Sequence, residues 1–287
     1  MRIKHFLDTA TSTFTYVVSD KLTKKCAIID SVLNFDSSTN KVSTSSIKQV
    51  IDYIKENKLS VEWILETHIH ADHLTGARYL QKELGGTIAI GEHIQDVFKF
   101  WNPLFNTERE SPTNSYSFDH FLKDGELFSI GVLKVKVIST PGHTPACISY
   151  LIEDSIFVGD TIFMPYVGTA RADFPGGKAS TLYDSIKEIL ALPEDTKIYV
   201  GHDYPPKNQL PGYVTSVTEQ NLNNVMIHKG ITRQEYISAR NAKDKSKEAP
   251  KLLFPAIEFN MGGGYFSDTQ EQQVEYTKIP MNKIQSA

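Results

Sequence analysis

The stretch THIHADHLTG, residues 67–76, sets three histidines and one aspartate within six consecutive positions: His68, His70, Asp72 and His73. The apolar run VEWILET leads straight into it and reads as a buried strand. A fold for this chain must therefore end a core strand on a dense group of metal-ligating side chains. Two chemistries suit such a group: two metal ions that hydrolyse a substrate, or one redox metal that activates oxygen.

Three further residues of ligand type stand at comparable places. His143 in TPGHTP follows the strand-like LKVKVIS, Asp160 in VGDT follows SIFV, and His202 in VGHD follows KIYV. Alone, a histidine after a strand is usually a hydrogen-bonded structural residue, and a Gly-Asp pair is usually a turn. Together they reverse that reading. Each sits where a rigid sheet delivers a loop, and each is His or Asp, the types suited to zinc or iron rather than calcium. His5, His93, His120 and His228 lack such a setting. They read as ordinary core or surface residues, with His93 and His120 only weak candidates for a site rim.

The rest of the chain reads as layered sheets with helices outside them. FTYVVSD and KCAIIDSV form an antiparallel pair of strands across the turn KLTKK. SSIKQVIDYIKENKLS places Ile47, Val50, Ile51 and Ile54 on one helical face, with Ser45 or Ser46 expected to cap its start. GARYLQKELGG and STLYDSIKEILALP read as helices, TIAIGEH and KIYVGHD as strands. Two longer stretches read as strand pairs, turning at Gly131 and near Glu153 and Asp154. Residues 93–120, aromatic and then polar, read equally as a flap beside the site or as a surface excursion anchored by its aromatics. Residues 1–205 are expected to form a catalytic core. Residues 206–287 are expected to be an extension packed on it, with a disordered polar tail.

Composition narrows the partners. In 287 residues, 40% hydrophobic and 22% charged describe an ordinary globular core. The net charge of -4, from 30 basic and 34 acidic residues, leans against nucleic acid or an anionic membrane as the main partner. Cys26 and Cys147 are too few for a disulfide framework and lack metal-binding spacing; Cys147 reads as a small core residue. No apolar run approaches a membrane span, and the N-terminus does not read as a secretory signal. A soluble, cytoplasmic protein is expected.

The order H-x-H-x-D-H, G-H, G-D, G-H resembles the metallo-β-lactamase superfamily over roughly residues 12–205. The resemblance implies an α/β fold, a four-layer αβ/βα sandwich with the metal site at one edge between two β-sheets, here with a short C-terminal extension. THIHADHLTGA, TPGHTPACISYLI, VGDTIF, GTARADFPGG, TLYDSI and HDYPP are most similar to the persulfide dioxygenases, or sulfur dioxygenases, of bacterial type. That branch implies one Fe(II) per chain, held by His68, His143 and Asp160. Such a triad leaves open positions on the metal, with His70, Asp72, His73 and His202 in support. Its substrates would be O2 and glutathione persulfide or a similar small persulfide, its products sulfite and thiol. The hydrolytic branch uses all seven residues. His68, His70 and His143 would hold one zinc, Asp72, His73 and His202 another, and Asp160 would bridge them for cleavage of a glutathione thioester. Counting ligands leaves both branches open.

For substrate contacts, the resemblance implies Arg171 for a glutathione carboxylate and Tyr204 for the pocket wall. Arg171 could instead pair with Asp173 to fix its loop, and Tyr204 could simply pack. Two departures from the mitochondrial type bear on the thiol carrier more than on the reaction. Eleven positions lead from Asp160 to Arg171, and Thr169 stands where that subgroup has cysteine. The resemblance also allows a homodimer.

Overall fold

The computed structural model describes residues 1–105 and 118–265. The first half of the chain contains β1 (Arg2–Asp8), β2 (Thr13–Ser19), β3 (Lys25–Ile29), β4 (Val32–Asp36), β5 (Lys41–Ser43), α1 (Ser45–Glu56) and β6 (Ser60–Leu65). It continues through β7 (Leu74–Thr75), α2 (Ala77–Leu84), β8 (Thr87–Gly91), α3 (Ile94–Phe105) and β9 (His120–Leu122). Six of these strands form one sheet in the order β1-β2-β3-β6-β8-β9, while β5, β4 and β7 form a small sheet beside it. Pairing is antiparallel as far as β3 and parallel from β3 to β9.

The second half builds another six-stranded sheet in chain order: β10 (Leu127–Ile130), β11 (Leu133–Ser139), β12 (Ile148–Ile152), β13 (Ser155–Phe157), β14 (Lys197–Tyr199) and β15 (Val214–Ser216). Helix α4 (Ala179–Ile189) crosses between the parallel pair β13 and β14, as a parallel connection requires. Helices α5 (Val217–Asn223), α6 (Arg233–Asp244) and α7 (Leu253–Met261) follow. Helix α6 opens with a reciprocal cap, in which Thr232 accepts from the Glu235 N–H and Glu235 accepts from the Thr232 N–H.

The period of two along each strand sorts side chains into layers. Phe14, Tyr16 and Val18 of β2, Ala27 and Ile29 of β3, and Val135 and Val137 of β11 point into the space between the sheets. Their sequence neighbours Val17, Cys26 and Ile28 face the other way, into a core closed by α1, α2, α3 and α7. Ile156 of β13 and Ile198 of β14 face outward onto Leu182 and Ile186 of α4 and Tyr236 of α6. The result is helix, sheet, sheet, helix: the four-layer α/β sandwich expected from the motif order.

Most local readings hold. The pair β2–β3 is antiparallel, Ile47, Val50, Ile51 and Ile54 are the buried face of α1, and the strand pairs turn at Gly131 and Glu153, both with positive φ. The serine cap does not hold. Ser45 and Ser46 lie inside α1, and the Asn34 Oδ1 of β4 accepts from the Ser45 hydroxyl and the Ser46 N–H at 2.8 Å each. A side chain distant in sequence does what a local cap would have done. Residues 94–105 form a helix whose Phe98, Trp101 and Phe105 are buried in the first core, and its Val97 and Trp101 lie beside His143 around a small pocket. The remainder of the excursion, 106–117, and the expected tail, 266–287, lie outside the described residues. Among the described residues no helix is long and apolar enough to cross a membrane.

Candidate metal centre

Four loops bring the seven ligand-type residues together. The longest begins where β6 ends, and its histidines are buried: His68, His70 and His73 are each exposed by no more than 2%. The others leave β11 with His143, β13 with Asp160 and β14 with His202. Three atoms, one each from His68, His143 and Asp160, lie within 4.8 Å of one another, and so do three from His70, Asp72 and His73. His202 faces both groups, with Nε2 3.4 Å from Asp72 Oδ2 and 3.4 Å from Asp160 Oδ1.

Each imidazole is held by one nitrogen on the side away from its neighbours. His68 Nδ1 donates at 3.0 Å to Thr67 Oγ1, whose own proton goes to Asp30 Oδ2 at 2.8 Å. His70 Nε2 lies 3.2 Å from Asp30 Oδ1 and from Glu66 Oε2. His73 Nδ1 donates to the Leu74 carbonyl, His143 Nδ1 to the Arg171 carbonyl at 2.8 Å, and His202 Nδ1 to the Ser12 carbonyl. At the centre, His70 Nδ1, His73 Nε2, Asp72 Oδ2 and Asp160 Oδ1 are buried without a hydrogen-bond partner among the described residues. Buried polar atoms are ordinarily satisfied. Rings held from behind, with lone pairs converging, are the arrangement of metal-ligating histidines. The donor set is nitrogen and carboxylate oxygen, which suits a divalent transition metal.

The electrostatics of His68, His143 and His73 agree with that use, and those of His70 and His202 run the other way. Burial, reinforced by His70 and His143, drives the His68 pKa well below that of free imidazole. Burial also lowers His143, against the pull of Asp160, and takes His73 down to about 4. Neutral rings present the lone pair that a metal needs. For His70 burial opposes the charge, yet Asp30 and then Glu66 outweigh it and raise the pKa well above the usual value. His202 is raised likewise by Asp160 and Asp72.

A cleft of about 330 Å³ opens onto the centre. Asp72, His143 and Asp160 form its floor, and Phe163, Phe174, Arg171 and Tyr204 its wall. Arg171 grips Asp173 with two parallel bonds of 2.6 and 2.7 Å and donates Nη1 to the Glu248 carbonyl at 2.8 Å. It is thus fixed to its loop and reaches the cleft as well. Tyr204 stacks on His202, with ring centroids 6.1 Å apart, and is half exposed. The weak rim candidates His93 and His120 pair with Asp96 and Glu126 and do not line this cleft. Cys147 is buried, and burial pushes its thiol up to about 12.

Sequence reading missed Asp30, Glu66 and Thr67 behind the histidines, and Lys247, Glu248 and Pro250 at the cleft. It also missed Asn260 of α7. Its Nδ2 donates to the His70 and His73 carbonyls at 2.9 and 2.8 Å, and its Oδ1 accepts the Thr75 N–H at 2.7 Å. An asparagine in an apolar helix was the one available signal.

A family model described as the Metallo-beta-lactamase superfamily matches residues 8–202. Glyoxylase B2 of Dictyostelium discoideum is 48% identical, over 99% of this chain and 98% of its own length. The mitochondrial persulfide dioxygenase ETHE1 of Homo sapiens is 28% identical, over 76% of this chain and 72% of its own. The crystal structure of ETHE1 from Myxococcus xanthus covers 92% of this chain and 100% of that chain, with TM-score 0.73 and 28% identity.

Proposed function

The chain belongs to the metallo-beta-lactamase superfamily, and from that premise we propose that it is a mononuclear Fe(II) persulfide dioxygenase acting on glutathione persulfide or a similar small persulfide. One observation carries the reading: His68, His143 and Asp160 bring one donor atom each to within 4.8 Å of one another, with His202 Nε2 beside Asp160 as a supporting group. Two imidazoles and one carboxylate on one face are the ligand set of an oxygen-activating iron. When bound, the iron would supply the open positions at which persulfide sulfur and dioxygen react.

The protein does the rest. Arg171 is anchored by Asp173 and Glu248 and, with Lys247 on the same cleft, would meet the carboxylates of the thiol carrier. Phe163 and Phe174 would pack on its apolar part and exclude water. The terminal sulfur gains both atoms of O2 and one oxygen from water, the sulfur–sulfur bond breaks, and sulfite leaves with the free thiol. Asp72, with one carboxylate oxygen unpartnered, would take a proton from that water. A cytoplasmic role in sulfide or thiol detoxification is part of the proposal.

A second reading rests on a separate observation. His70, Asp72 and His73 form another donor group, which would suit a dinuclear zinc hydrolase of glutathione thioesters. One experiment separates the two. Fe(II)-loaded protein is given glutathione persulfide in an oxygen electrode, and sulfite is assayed in the same sample. Rapid uptake with equimolar sulfite is expected. Absence of uptake, with thioester cleavage by zinc-loaded protein, would overturn the dioxygenase in favour of the hydrolase.

A further inference from the structure

We propose that Asp244, far from the cluster in sequence, tunes and positions the ligand His143 through a single peptide unit. His143 Nδ1 donates to the carbonyl of Arg171 at 2.8 Å. The N–H of Ala172 donates to Asp244 Oδ2 at 3.0 Å. That carbonyl and that N–H belong to the same planar, resonance-coupled amide. A carboxylate pulling on the N–H increases the negative charge on the oxygen, which strengthens its hold on the imidazole proton. The other ring nitrogen becomes the better donor. Where a carboxylate touches a ligand histidine directly, it fixes the ring and raises its basicity; here an amide stands between them.

Arg240 completes the device. It is fully buried and Asp244 nearly so. Its Nε donates to Asp244 Oδ2 at 3.0 Å, its Nη2 donates to Asp244 Oδ1, and its Nη1 donates to the Thr169 carbonyl at 3.0 Å. One ion pair on α6 thus grips both ends of the segment Thr169–Ala172. A buried ion pair is weak evidence of stability for its own sake. This one closes a pattern: His68 reaches Asp30 through Thr67, His70 reaches Asp30 and Glu66 directly, and His143 reaches Asp244 through the peptide. Asp244 and Arg240 are positioning residues, and neither lines the cleft.

The inference rests on His143 being a metal ligand, and the test separates the two. Zn(II) affinity of the full chain is measured by competition with a chromophoric chelator. The Co(II)-substituted protein supplies a second readout, the paramagnetically shifted Nδ1–H resonance of His143. Arg240→Gln/Asp244→Asn replaces the ion pair with a neutral pair. It is expected to fold, bind zinc on the order of ten-fold more weakly, and shift that resonance. A folded pair with wild-type affinity and an unmoved resonance overturns the relay. Should the pair fail to fold, Asp244→Glu keeps the ion pair but carries the carboxylate off the Ala172 N–H. The same loss is expected of it, and wild-type affinity there is equally fatal. Arg233→Gln breaks the exposed pair of α6 with Asp184 on α4 and is expected to leave both readouts unchanged. Equal weakening there would reduce the effect to a loosened helix. His143→Ala is the arm for the premise: unaltered zinc affinity in that variant removes His143 from the ligand set.

Discussion

Each ring at the centre commits one nitrogen to the protein, and the two aspartates fall one to each donor group. Asp160 stands with His68 and His143, Asp72 with His70 and His73. Removal of one carboxylate or the other should therefore have unlike effects. Asp160→Ala is expected to lose iron entirely, whereas Asp72→Ala keeps near one iron per chain by elemental analysis. Its turnover should fall on the order of 100-fold, as for loss of a proton-transferring group. Loss of iron in Asp72→Ala would count against the triad. The sequence made the convergence of the ligand-type residues legible because coordination accepts few residue types, at spacings set by strand and loop. Asp30 and Glu66 were not legible, because any carboxylate can accept from an imidazole and nothing local marks which one does. Arg171 lies between the cases. Two residues from Asp173 and lining the cleft, it is gripped by the one and open to the other, an outcome that spacing alone leaves undecided.

Among the elements, alternation along strands was readable because a one-residue slip would turn every side chain to the wrong layer. The four apolar positions of α1 were readable for the analogous reason at helical period. Its cap was not, since Asn34 reaches it from another strand. The loop carrying His143 shows how closely an element can set a side chain of the site. Gly142 has φ of +137°, and a Cβ there would lie 2.3 Å from the Leu182 Cα and N on α4. The Lys178 N–H at the start of that helix donates to the Gly142 carbonyl. Gly142→Ala is thus expected to cost about 2 kcal/mol or more from backbone strain and overpacking together, measured by urea unfolding. It should also weaken zinc binding, because relief of the clash moves His143. Wild-type stability would show that α4 yields more readily than its packing implies.

Across the whole molecule, the region past residue 205 is more deeply built in than its polar composition suggests. It adds β15 to the second sheet, sets α6 against α4 in one outer layer, and returns α7 to the other, where Ala256, Ile257, Phe259 and Met261 join the first core. Asn260 faces the histidine-bearing segment from α7, and its three bonds to that segment are all buried. Asn260→Leu preserves the size of the side chain but leaves two carbonyls and one N–H without partners. Each stranded group costs about 1 kcal/mol or more, so the variant should lose about 3 kcal/mol. The midpoint of urea unfolding should drop with an unchanged slope, the sign that stability has changed and compactness has not. Asn260→Asp keeps the acceptor for the Thr75 N–H but loses both donors, and sets a carboxylate against the two carbonyls; its stability should be no better than that of the leucine variant. In both, zinc should bind more weakly, because His70 and His73 lose the contact that holds their backbone. Wild-type stability and zinc affinity in Asn260→Leu would mean that the loop supports itself without help from α7.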